Sequence, residues 1–126
     1  MGILDSFFKA EEASLQEDWK ILNQIEQLSE IKAASFEKPV VIFKHSITCG
    51  ISSMAKYKLE DKWDFQAGEI DFYYLDLLTY RPVSNAVADT FKVVHQSPQI
   101  LVIKNGEAVY DTSHHMVSVQ AIRNSL

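Results

Sequence analysis

A chain of 126 residues, 47% hydrophobic and 23% charged, suits one domain with a single core and is too apolar for a disordered tail. Twelve basic against 17 acidic side chains, a formal charge of -5, exclude a protein that holds nucleic acid on a basic surface, because phosphate contacts need concentrated Lys and Arg. No stretch approaches the about 20 apolar residues that span a bilayer, Asp5 interrupts the short apolar run that a secretory signal would need, and one cysteine builds no disulfide framework; the expectation is a cytoplasmic protein with no membrane contact.

Residues 1–18 read as a polar, weakly helical leader whose Ile3, Leu4, Phe7 and Phe8 would cover an edge of the domain formed by 19–126. A short strand is expected over 19–22. Ile25, Leu28, Ile31 and Lys32 recur at three- and four-residue steps, which predicts an amphipathic helix over 24–36. After Pro39, Val40-Val41-Ile42-Phe43 is a short, largely β-branched run typical of a buried central strand, and it ends in polar Lys44-His45-Ser46. The spacing predicts a helix from 49 to about 65, with Ile51, Met54, Ala55, Leu59 and Trp63 on one face and Gly68 closing the segment.

Residues 70–76 are aromatic and apolar, the composition of a strand. Pro82 fits the first turn of a helix striped by Val83, Ala86, Val87, Thr90 and Val94. Ser97-Pro98 then precedes two apolar runs, 99–104 and 107–111, joined by Asn105-Gly106. Asn-Gly in that place predicts a hairpin, because both turn residues must take positive φ. A last helix over 116–124 would bury Met116, Val119 and Ile122. The order β-α-β-α-β-α-β-β-α predicts an α/β domain: a mixed sheet of four to five strands, helices on both faces, and a C-terminal hairpin plus helix.

Cys49 stands where the buried strand gives way to the longest helix, between Thr48 and Gly50 and on no apolar stripe. A helix N-terminus offers unpaired N–H groups and about half a positive charge. Both favour the thiolate, the nucleophile of disulfide exchange. Lys44 and His45 at the strand end are expected to add positive potential. Ser52, three residues on, occupies the place of a resolving thiol in a Cys-x-x-Cys protein; its hydroxyl either donates to the thiolate or caps the first turn. His114-His115 has no nearby ligand set with coordination spacing, so no metal site is predicted.

The element order, a cysteine opening the longest helix and a proline just before the hairpin together resemble the thioredoxin superfamily. More closely, Phe43-Lys44-His45-Ser46 leading to Thr48-Cys49-Gly50-Ile51-Ser52, then Ser97-Pro98-Gln99, Asn105-Gly106 and Thr112-Ser113-His114 resemble the monothiol bacilliredoxin family over 19–126. The resemblance implies a thioredoxin-like fold and a thiol-disulfide oxidoreductase in which Cys49 and Ser52 form the catalytic pair. Cys49 would take bacillithiol from S-bacillithiolated client proteins and be reset by another low-molecular-weight thiol. Bacillithiol would be a co-substrate, with no bound cofactor. It further implies that Ser97-Pro98 faces Cys49 with Pro98 in the cis form, and that Lys44, His45, Thr48, Gly50, Thr112 and His114 help to bind the thiol. Gly50 departs from the family, whose members often carry proline there.

Three alternatives stay open at the level of the residues. Pro98 could simply be a trans proline opening a strand. Cys49-Gly50-Ile51-Ser52 is one residue from the Cys-Gly-Phe-Ser of monothiol glutaredoxins, which hold a [2Fe-2S] cluster with glutathione, although Asp111-Thr112-Ser113-His114 stands where those proteins have Gly-Gly-x-Asp. The same fold could also serve as a binding module, in which case Cys49 would alkylate like any free cysteine.

Overall fold

The computed structural model describes residues 16–126; nearly all of the expected leader, including Ile3, Leu4, Phe7 and Phe8, lies outside the described residues. In chain order the elements are β1 (Trp19–Ile21), α1 (Gln27–Ala34), β2 (Val40–His45), α2 (Gly50–Asp61), β3 (Asp71–Asp76), α3 (Arg81–Phe91), β4 (Gln99–Lys104), β5 (Glu107–Ser113), one 3-10 turn (His114–Met116) and α4 (Val119–Ser125). The five strands form one open sheet in the order β1-β3-β2-β4-β5. β1 and β2 run parallel to β3, β4 is antiparallel to β2, and β5 is antiparallel to β4. This is the predicted mixed sheet, with parallel crossovers first and a hairpin last.

Strand alternation divides the core in two. Val41 and Phe43 of β2, Phe72 and Tyr74 of β3, and Ile100 and Val102 of β4 pack with Ala55 and Leu59 of α2 and Val119 and Ile122 of α4. Val40, Ile42, Leu75, Leu101 and Ile103 point the other way, onto Leu28 and Ile31 of α1 and Val83, Val87 and Phe91 of α3. β2 is buried along its whole length between β3 and β4, which explains its near-continuous apolar sequence. The hairpin turn has Asn105 at φ 53 and Gly106 at φ 81, as Asn-Gly predicts. It is pinned to the end of α1, where Ser35 accepts the N–H of Asn105 on its carbonyl and that of Gly106 on its hydroxyl.

Four helical stripes differ from the sequence expectation, each for a local reason. α2 turns Ser52, Ala55 and Leu59 inward, leaving Ile51 and Met54 exposed; the buried Ser52 bonds to the end of β2, and that sets the phase. Trp63 falls after the helix, edge-on to Phe65 and Phe72. α3 buries Val83, Ser84, Val87 and Phe91, then stops at Lys92 in the left-handed conformation (φ 58), so Val94 projects into solvent and Thr90 is exposed. Ile25 precedes α1 and is exposed, because Gln27 folds its side chain back to accept the N–H groups of Asn23 and Gln24. Met116 is also exposed: Ser118 accepts the Ala121 N–H and caps α4, which starts at Val119, three residues after Met116.

Candidate active site

Cys49 is the N-cap residue of α2, in extended backbone conformation at φ -108 and ψ 121. Its carbonyl accepts the Ser53 N–H at 3.0 Å, while its own N–H returns to the Ser46 carbonyl at 3.2 Å. A residue in that position carries its side chain over the unpaired N–H groups of the helix's first turn. The thiol is half-buried and free. Thr48 and Gly50, on either side, are exposed; Thr48 Oγ1 lies 3.3 Å from Ser46 Oγ.

Ser52 is fully buried beneath this turn. Its hydroxyl oxygen accepts the Ser46 N–H at 2.9 Å and lies 2.6 Å from His45 Nδ1. Both hydrogen bonds go to β2 and its exit, so the hydroxyl is not directed at sulfur and does not cap α2. The structure thus makes Ser52 the peg that fixes the strand-to-helix turn carrying Cys49.

His45 is buried, with Phe43 and Tyr74 rings each 5.6 Å from its own. Burial, reinforced by the Lys56 charge, pushes its pKa from the usual 6.5 down to about 4. At neutral pH it is uncharged, so the expected positive potential from His45 is absent. Lys44 is corrected more sharply. It is the neighbour of His45 along a strand, so it faces the opposite side of the sheet, where its ammonium donates to the Ser84 carbonyl of α3 and to His95 Nδ1.

The other predicted residues meet at the same end of the sheet. β4 begins at Gln99 opposite Lys44, and β5 ends at Ser113 opposite Gln99, so the residues just outside both strands adjoin the exit of β2. There the Ser97–Pro98 peptide bond is cis, with Pro98 buried and Ser97 half-buried. The Pro98 carbonyl accepts the His114 N–H at 3.0 Å. His114 itself is exposed, at φ 56, with Nδ1 3.0 Å from Ser113 Oγ. Thr112 is half-buried one step inside the strand, opposite Ile100 and hence on the α2 side. Among the described residues no three His, Cys, Asp or Glu side chains converge on a metal-sized space. Ser46 is a site residue whose sequence signal is only its three-residue spacing from Cys49, that of a tight turn; His95 carries no signal, because its partner Lys44 is 51 residues away.

Comparison with known proteins agrees with this geometry. A solved structure described as an oxidoreductase with a thioredoxin fold superposes with a TM-score of 0.69 at 28% identity, covering 86% of this chain and 93% of that one. Thioredoxins of Malassezia sympodialis (TM-score 0.66, 18% identity, 87% and 89% covered) and Fasciola hepatica (0.62, 18%, 83% and 93%) share the fold. The family model described as monothiol bacilliredoxin BrxC matches residues 20–122. With one cysteine, set at the start of α2 in a thioredoxin fold, the chain belongs to the monothiol bacilliredoxin family of thiol redox proteins.

Proposed function

We propose that this protein removes bacillithiol from protein mixed disulfides through Cys49. The observation that carries this reading is the half-buried Cys49 at the N-cap of α2, at the end of the sheet where β2 ends, β4 begins after Ser97–Pro98 and β5 ends at Ser113, in a chain of this family. The Cys49 thiolate attacks the bacillithiol sulfur of the mixed disulfide; a new S–S bond forms as the old one breaks, and the client leaves as a thiolate that takes a proton from water. One disulfide replaces another, so no external oxidant is consumed. The chain has no second cysteine, so a second low-molecular-weight thiolate must attack the Cys49 disulfide, which frees Cys49 and releases a soluble disulfide. The backbone at Ser97 would pair with an extended client segment, as in strand addition.

The test is transfer from an S-bacillithiolated client. The native chain is expected to free the client thiol, and Cys49→Ser to abolish transfer while keeping the native far-UV spectrum. Undiminished transfer by Cys49→Ser would rule the reading out.

A further inference from the structure

The exit of β2 holds a second buried base that the thiol chemistry does not use. Lys44 is fully buried, flanked in register by Leu75 of β3 and Gln99 of β4. Its ammonium donates to the Ser84 carbonyl at 3.1 Å and to His95 Nδ1 at 3.2 Å. Neither acceptor is a carboxylate. The charged neighbour acting on it is also a base, Arg81 from α3, and both cations act in turn on His95 of the 92–98 connection. The carboxylate at the end of β3, Asp76, is taken up by the N–H groups of Leu78 and Thr79 and the Thr79 hydroxyl. Gln99 is neutral and braces the same connection, donating to the Val94 carbonyl and accepting the Gln96 N–H.

Among the described residues no carboxylate pairs with this ammonium, and a buried ammonium so placed weakens a fold relative to an apolar side chain of the same length. Its hydrogen bonds show what it does instead: one reaches α3 and the other reaches the segment that leads into Ser97–Pro98. We propose that Lys44 is a positioning residue that ties the 92–98 connection to the end of β2, and that the tie holds only while Lys44 is charged and His95 neutral. A proton on His95 would remove its acceptor lone pair and set two cations face to face. Loss of the Lys44 proton would replace an ammonium donor by a weaker amine. Burial, followed by the charges of Lys44 and Arg81, pushes His95 below its usual 6.5; burial, followed by Arg81, brings Lys44 from 10.5 down to about 8. The tie is therefore strongest around neutral pH and loosens on both sides. Its bearing on catalysis rests on the thiol-exchange reading; the tie itself does not.

The experiment is NMR on the full chain from about pH 5 to about 9, following the His95 ring nitrogens and hydrogen exchange of the Gln96 amide against that of Val102. In the native chain His95 should be a neutral ring protonated at Nε2 near neutral pH, and Gln96 protection should peak there. In Lys44→Met the His95 midpoint should rise towards its ordinary value and Gln96 protection should fall about tenfold. His95→Gln keeps an acceptor that cannot titrate, so only the acid limb should disappear. An unchanged midpoint and protection in Lys44→Met, or an acid limb that persists in His95→Gln, overturns the proposal. Should Lys44→Met fold poorly, His95→Phe breaks the tie from a half-exposed position and must lower Gln96 protection; unchanged protection overturns it equally. Failure of Cys49 transfer with these NMR results intact counts against the thiol-exchange reading alone.

Discussion

The Ser52 hydroxyl holds the Ser46 N–H and His45 Nδ1 in a place closed to water, so Ser52→Ala removes the acceptor of the Ser46 N–H and one contact of His45. A buried N–H left unpaired costs about 1–3 kcal/mol, and the expected loss is of that size, measured as a lower denaturant midpoint. Because the same bonds hold the turn that presents Cys49, transfer should slow in this variant while Cys49 remains the modified residue. Gly50 behaves in the opposite sense. It is the first helical residue, so its N–H has no intrahelical acceptor, and a Cβ built on it meets nothing within 4 Å. Cys49, at φ -108 and ψ 121, already has the extended conformation that a residue before proline requires. Gly50→Pro should therefore stabilise the fold by about 0.4–1 kcal/mol, chiefly by restricting the unfolded chain, and a lower melting temperature would contradict this.

Among the elements, what the sequence made legible was type and order, because periods of two and of three to four residues survive without knowledge of neighbours. Val40–Phe43, Asn105-Gly106 and the Cys49 strand-to-helix junction were readable in this way. Helix phase was not. Ile51 and Met54 compete with Ser52 and Ala55 for the inward face of α2, and the outcome depends on a hydrogen bond from Ser52 to β2 that hydrophobicity does not record. The end of α3 was set by a left-handed Lys92 and the start of α4 by the Ser118 hydroxyl cap, both local events. The placement of Cys49, Ser97 and Pro98 at one end of the sheet was legible, because the chain order brings them there. The positive potential that the sequence suggests at Lys44 and His45 does not reach the Cys49 side. Strand alternation sends Lys44 to the other face, and burial keeps His45 neutral.

For the whole molecule, the buried neutral His45 makes folding sensitive to acid. Its folded-state pKa, about 4, lies below its ordinary 6.5, so the unfolded chain binds more protons between those values. The stability that His45 confers is complete above the ordinary pKa and is lost as pH falls through the folded one, by up to about 3 kcal/mol. Urea midpoints should fall across that window in the native chain, and His45→Phe should flatten this part of the profile; an equally steep fall in the variant would assign acid sensitivity to other groups. The most direct test of the central claim is the intact mass of the chain after exposure to oxidised bacillithiol, with oxidised glutathione in parallel. Thiol exchange at Cys49 predicts one bacillithiol adduct, preferred over glutathione and absent from Cys49→Ser. Preferential glutathione adduction, or no adduct together with a bound iron-sulfur chromophore, would contradict it.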